Sequence, residues 1–283
     1  MGTTETASER PTVVQYTDPM CTWCWGSEPV VRRLQTVFGD EVRLRYVMGG
    51  LVEDFEEFYD PANDISTPAE VAPHWLEASE RHGMPVDTTI FETDPAWSTY
   101  PASEAFVAAR KQDADLAHRY LRRLREAYVT EVRNVNHRSE QVELAREVGL
   151  DVEAFTAALD DGTASAAFEA DLRRTREAGV RAFPTYDVRG PDGERRLSGF
   201  TAFDQLVAAL DAVAPSVEQS SPPPVRRFVR EYGPVATREV GEVYQLDDGK
   251  TRQVLESLVE EGALRRERRG NGVFWDSAYG GER

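Results

Sequence analysis

Cys21 and Cys24 are the only cysteines in a chain of 283 residues, and they stand two residues apart in TDPMCTWCWGSEPVVRRL. That spacing suits half of a metal site, a structural staple, a chance pair or a redox couple. The flanking pattern favours the redox couple. Residues 11–18, PTVVQYTD, are β-branched and aromatic and read as a strand. Ser27, Val30, Val31, Leu34 and Phe38 then recur at helical spacing up to Gly39, a C-terminal stop. The pair therefore closes a strand and opens a helix. Unsatisfied N–H groups and the positive end of the helix dipole stabilise a thiolate there. Lowering a thiol pKa supplies more nucleophile at neutral pH and a better leaving group. Cys24, about one turn on, can reach back to resolve a mixed disulfide. Cys21 is expected to be the more exposed thiol with the lower pKa, and both are candidate catalytic residues.

A tetrahedral zinc site needs about four ligands. No further cysteine exists, and His74, His82, His118 and His137 are scattered without ligand spacing. They read as surface or helix-cap residues, and no metal or other cofactor is expected. No Gly-x-Ser-x-Gly or phosphate-loop pattern offers a competing site.

Phe183-Pro184-Thr185 begins a later strand expected to lie beside the helix start. An X-Pro bond adopts cis at little cost, and a strand-initial proline lacks a ladder donor. A cis bond there would free the backbone of Phe183 to pair with an extended peptide. It would also keep metal ligands from the thiols. Phe183, Pro184 and Trp23 are therefore candidate substrate-binding residues. Tyr16 and Trp25 could join Trp23 and Phe183 in an apolar rim for unfolded polypeptide, unless they are core. Asp18 is a candidate for proton transfer, although Asp-Pro before a helix also serves as a turn and capping device.

These residues need a scaffold. Residues 42–51, VRLRYVMGGL, read as a second strand and complete a β-α-β unit. Residues 54–180 read as mostly helical. Phe106, Ala109, Leu116, Tyr120, Leu124 and Tyr128 share one stripe. Ser139 is a candidate cap of a helix ending near Gly149, Asp151 caps a second, and a third runs from 163 to Gly179. Residues 183–189 and 194–200 form a strand pair around the turn GPDG, and 201–213 is an amphipathic helix.

Hydrophobic residues make up 40% of the chain, enough for a large core. A net charge of -17 disfavours general binding to nucleic acid or anionic membrane. No run approaches the apolar length of a membrane span, and residues 1–10, a polar leader expected to be disordered, lack a secretory pattern. The expected compartment is cytoplasmic, where a long-lived structural disulfide is unusual. Abundant acidic residues, with Lys111 and Lys250 the only lysines, suggest a halophilic or high-GC source.

The combination of DPMCTWCWG, a helical insertion, GVRAFPTYDV and GFTAFDQL resembles the DsbA family of thioredoxin-fold oxidoreductases. It is most similar to the FrnE-like branch related to 2-hydroxychromene-2-carboxylate isomerase. NVNHRSEQVELAREVGLDVEAFTAAL, residues 134–159, resembles that branch's insertion, and the likeness covers about 11–215. The resemblance implies an α/β, thioredoxin-like fold with a large helical insertion at about 54–180. It implies thiol–disulfide exchange with Cys21 as nucleophile, Cys24 as resolving thiol and Pro184 as the cis proline. Thr22-Trp23 stands where well-known DsbA proteins have Pro-His, so their strongly oxidising potential is not inherited. The second cysteine motif of some FrnE-like members is missing. Glutathione-dependent relatives tend to carry serine at the nucleophile, whereas both cysteines remain here.

Residues 216–224, SVEQSSPPP, read as a linker. Beyond it, residues 222–283 hold eleven basic and eleven acidic residues, so the whole net charge lies before them. Residues 225–279 read as three helices and a hairpin with a core of Leu246, Val254, Leu255, Leu258 and Leu264. This resembles a small winged-helix domain, expected to fold as a unit and to be dispensable for chemistry. Lys250, Thr251, Arg252, Arg265, Arg266, Arg268 and Arg269 could meet phosphates. Glu256, Glu260 and Glu261 oppose this, so docking or homodimer formation is preferred to DNA contact. The leading function is disulfide exchange with protein or small-molecule thiols and disulfides. A redox-sensing regulator acting through the C-terminal module and a glutathione-dependent isomerase or transferase are the alternatives.

Overall fold

The computed structural model describes residues 10–279; nine of the ten leader residues lie outside that range. The chain opens with β1 (Thr12–Thr17), α1 (Thr22–Gly26), α2 (Glu28–Phe38) and β2 (Arg43–Met48). The expected single helix after the cysteines is two. It breaks at Ser27, whose hydroxyl donates to the Trp23 carbonyl at 2.9 Å, and Pro29 starts the next helix. The second strand is shorter than the expected 42–51 and stops at Gly49 and Gly50. Gly50 takes φ +66, a conformation that favours glycine.

The helical part comprises α3 (Pro68–His82), α4 (Ile90–Thr93), α5 (Tyr100–Gln112), α6 (Ala114–Thr130), α7 (Arg138–Glu147), α8 (Val152–Asp160) and α9 (Thr163–Glu177). The long apolar stripe of 102–128 is cut in two by Asp113, whose carboxylate accepts from the Asp115 and Leu116 N–H groups and caps α6. Asp151 caps α8 as expected, whereas His137, not Ser139, occupies the cap position of α7.

The chain then returns as β3 (Thr185–Gly190), β4 (Gly193–Ser198) and α10 (Phe203–Val213). The sheet order is β2-β1-β3-β4, with β1 and β2 parallel and the other pairs antiparallel. This is a thioredoxin-like fold with a large helical part. Strand alternation divides β1. Val13 packs with α2 and α10, whereas Val14 and Tyr16 pack with Val180 and Phe183. Gln15 and Thr17, on the Val13 side, hydrogen-bond to Tyr186 and Arg125.

The C-terminal segment adds α11 (Val225–Tyr232), β5 (Val235–Ala236), α12 (Thr237–Tyr244), α13 (Asp248–Glu260), β6 (Leu264–Arg269) and β7 (Gly272–Ser277), with strand order β5-β7-β6. It has its own core around Phe228, Val240, Leu255 and Trp275. Val254, expected in that core, is 36% exposed, because Thr251, Leu255 and Leu258 form the inward stripe of α13. The segment also packs on the rest of the chain. Ala236 and Phe274 belong to the large core that holds Trp25 and the helical part. Asn271 exchanges two hydrogen bonds with the Val86 backbone, at 2.9 and 3.1 Å. The proline-rich connection is pinned where Ser220 donates to the Val37 carbonyl.

Candidate functional site

Cys21 is the N-cap of α1, and its sulfur accepts from the Cys24 N–H at 3.3 Å. The same thiol donates to the Phe183 carbonyl at 3.8 Å. The Phe183–Pro184 bond is cis. The structure thus brings Cys21, Cys24, Trp23, Phe183 and Pro184 to one corner of the sheet. A cavity of about 380 Å³ opens beside them, lined by Cys21, Trp23, Leu51, Phe55, Trp75 and Phe183 among others. Cys21 reaches this cavity, and Cys24 does not.

The apolar candidates separate by burial. Tyr16 and Trp25 are core, at 1% and 0% exposure, while Trp23 and Phe183 are partly exposed. Trp25 donates from its indole to the Pro85 carbonyl at 2.8 Å and stacks on Phe274. Trp23 lies against His82 and Phe200, with centroids 5.9 and 5.8 Å away.

Asp18 is fully buried and surrounded by donors. It accepts from Met20 N, Leu51 N and Thr99 Oγ1 at 2.8, 2.9 and 2.7 Å. Burial raises its pKa, although these bonds oppose the shift. The carboxyl ties the CTWC turn to the segment after β2 and to the start of α5.

The thiols differ from the expected charge order. Burial, then the hydrogen bond and charge of Cys24, push the Cys21 thiol well up. Burial also resists charge on Cys24. There the Cys21 thiol, the Arg125 guanidinium and the Thr17 hydroxyl outweigh it and bring that thiol down. The reason is local. α1 is little more than one turn, so few peptide dipoles align on Cys21. The buried cation lies on the Cys24 side, and the Phe183 carbonyl favours a protonated Cys21.

Two features escaped the sequence reading. Arg125 is completely buried, held by Glu28 and by Thr17 at the end of β1. His82, read as a surface or cap residue, is 2% exposed and lies behind the Cys-Thr-Trp-Cys turn. Its Nδ1 accepts from Met84 N at 3.0 Å, which places the proton on Nε2, 3.5 Å from Thr22 Oγ1. The remaining histidines stay apart, and among the described residues no group of three His, Cys, Asp or Glu is arranged to hold a metal.

The basic residues of the C-terminal segment are largely engaged. Thr251 is buried, Lys250 and Arg252 pair with Asp247 and Asp248, and Arg265, Arg266 and Arg269 each have a carboxylate partner. Among the described residues, no helix is long and apolar enough to cross a membrane.

Comparison with known proteins gives two kinds of relative. The family described as thioredoxin matches residues 15–206. The ClpXP adapter protein SpxH of Halalkalibacterium halodurans is 28% identical over 267 residues, covering 93% of this chain and 87% of that protein. SpxH of Bacillus subtilis is 25% identical, covering 94% and 88%. Among solved structures, the cytosolic disulfide reductase DsbM of Pseudomonas aeruginosa aligns with a TM-score of 0.53 at 25% identity. That alignment covers 66% of this chain and 89% of DsbM. A Nitrosomonas europaea protein, provisionally described as a protein disulfide isomerase, has the same fold, with a TM-score of 0.62 at 20% identity over 72% and 97% of the two chains.

Proposed function

The chain belongs to the thioredoxin family, and from that membership we propose that it is a cytoplasmic thiol–disulfide oxidoreductase working through Cys21 and Cys24. The observation that carries the reading is the contact of Cys21 with both the Phe183 carbonyl and an apolar cavity, with Cys24 directly behind it. A protein or small-molecule disulfide enters beside Trp23 and Phe183. Cys21 passes its proton to the Cys24 thiolate and attacks one sulfur. The other substrate sulfur leaves. Cys24 then gives up the proton and attacks Cys21 Sγ, which releases the second substrate thiol. The enzyme dithiol has lost two electrons to the substrate, and the reverse sequence oxidises a substrate dithiol. DsbM, a disulfide reductase also solved with glutathione, is in keeping with this assignment. The test is single-turnover reduction of a small disulfide by the fully reduced chain. A yield of one substrate disulfide per dithiol supports the reading, and no reduction refutes it.

A second reading has its own support. The SpxH match covers 93% of this chain, more than the thioredoxin-like part alone, and those relatives are ClpXP adapters. In this reading the C-terminal module, winged-helix-like in its three helices and hairpin, docks a protein partner. An adapter would still bind ClpXP with both cysteines replaced by serine. An oxidoreductase so altered would lose its activity.

A further inference from the structure

We propose that the cleft between the outer edge of β2 and α11 binds a small polyanion carrying two or more linked phosphate groups. The proposal goes beyond disulfide exchange and does not depend on it.

The cleft, of about 1140 Å³, lies where the C-terminal segment meets the thioredoxin-like part. Six arginines line it: Arg10 before β1, Arg43 and Arg45 on β2, Arg110 on α5, Arg174 on α9 and Arg227 on α11. Four carboxylates oppose them, on Asp40, Asp115, Asp171 and Glu231. Asp171 is taken by Arg110, at 2.8 and 3.1 Å. The other three are exposed, and among the described residues none of them pairs with Arg43, Arg45, Arg174 or Arg227. Four guanidinium groups from three elements thus face one space without a carboxylate, in a chain whose net charge is -17.

The shape of the cleft selects among anions. Guanidinium groups hold phosphate oxygens two at a time, which a compact ammonium does not. One phosphate fills a small part of the volume, since pockets of roughly 300–1,000 Å³ take drug-sized molecules. A nucleic-acid duplex meets the repulsion of the whole acidic surface. An acidic peptide adding a strand to β2 is also disfavoured. Arg43 N donates to the Pro11 carbonyl of the neighbouring chain at 2.9 Å, so Leu44, Tyr46 and Met48 turn their backbone groups outward. Arg110 already donates to the Tyr46 carbonyl at 3.0 Å, and Asp171 already accepts from the Met48 N–H at 2.9 Å. A new strand would find those positions filled.

The cleft is separate from the thiols. It begins at the first residues of β2, whereas the cysteines follow the last residue of the parallel β1, and no residue lines both cavities. Both parts of the chain build it. A ligand held by Arg43 and Arg45 on one side and Arg227 on the other therefore favours the docked arrangement.

The test uses the full-length chain. Sodium tripolyphosphate is titrated into it by calorimetry at low ionic strength without divalent cations. Saturable one-to-one binding is expected, with a rise in melting temperature. Arg43→Gln with Arg45→Gln should weaken binding about tenfold or more, and Arg227→Gln about threefold or more. These side chains are exposed, so the variants keep the fold, which thermal unfolding checks. Arg146→Gln with Arg195→Gln removes the same charge from exposed positions on α7 and β4, outside the cleft, and should leave the affinity within about twofold. ATP separates the sources of the phosphate chain. Equal or weaker binding of ATP assigns the site to the phosphates alone, and tighter binding assigns it to a nucleotide. Absence of saturable binding overturns the proposal. Equal weakening by the two double variants also overturns it, because the binding would then be general attraction between charges. Disulfide exchange stands or falls separately from both results.

Discussion

Trp25, one residue beyond the cysteine pair, stacks on Phe274 of the last strand, with ring centroids 6.3 Å apart and planes 24° from parallel. The C-terminal segment therefore covers the back of the helix that carries the thiols. The linker composition suggests that a fragment ending near residue 221 stays folded and active. The stack leads to the opposite expectation. Such a fragment exposes Trp25 and removes Glu239 from Arg122, and each change is costly in a buried site. The fragment should melt well below the full chain or aggregate, as thermal unfolding would show. Phe274→Ala in the full chain should cost about 3 kcal/mol or more. A fragment that melts like the parent would return the connection to the role of a plain linker.

The thiols should divide their labour by access. Cys21 meets the cavity and Cys24 lies beneath it. Cys24→Ser should accumulate mixed disulfides through Cys21, and Cys21→Ser should abolish exchange. Mass spectrometry of trapped adducts separates the two, and adducts through Cys24 in the Cys21→Ser chain would reverse the assignment.

Gly26 closes α1 against His82. A Cβ added there would stand 2.4 Å from His82 Cδ2, closer than any ordinary contact. The imidazole belongs to a buried ring held by Met84, so it cannot simply swing aside. Gly26→Ala should destabilise the chain by about 1–3 kcal/mol and displace Trp23, which His82 supports. Urea unfolding would give the loss, and the assigned indole N–H resonance of Trp23, one of five tryptophans, would report the displacement by NMR. A variant as stable as the parent, with an unmoved Trp23 resonance, would disprove the wedge.

The strand-turn-helix holding the cysteines was legible because its signals are local: a β-branched run, two thiols and an apolar helical stripe. The Phe183-Pro184 strand was legible for the same reason. The charge network was not. Glu28 and Arg125 lie 97 residues apart and meet only after the helical part folds over the sheet. Arg122, Arg125 and Glu126 are also charged residues on a helix, a pattern that normally marks a solvated face, yet all three are buried. Neither did the C-terminal composition disclose its docking, because a connection rich in serine and proline looks alike whether it swings free or is pinned at Ser220.

His82 makes a pH prediction with a definite sign. Burial, then the charge of Arg238, lowers its pKa from 6.5 to about 4. Above pH 6.5 the ring is neutral in both folded and unfolded chains, and its environment favours the fold fully. As pH falls from 6.5 towards 4, the unfolded chain binds a proton that the folded chain refuses, so stability drops. The loss should be about 2 kcal/mol between roughly pH 7 and pH 5. Glu28, Glu126 and Asp187 act at lower pH. Burial opposes their charge, but neighbouring arginines hold their pKa values down. Their contribution is present above the unfolded carboxylate range and disappears as pH falls through the folded values. The His82 step is therefore separable. His82→Asn keeps an acceptor for the Met84 N–H and removes the titration. Urea unfolding of parent and variant at both pH values decides the matter. The parent should lose about 2 kcal/mol more than the variant, and equal losses would show that another group governs this window.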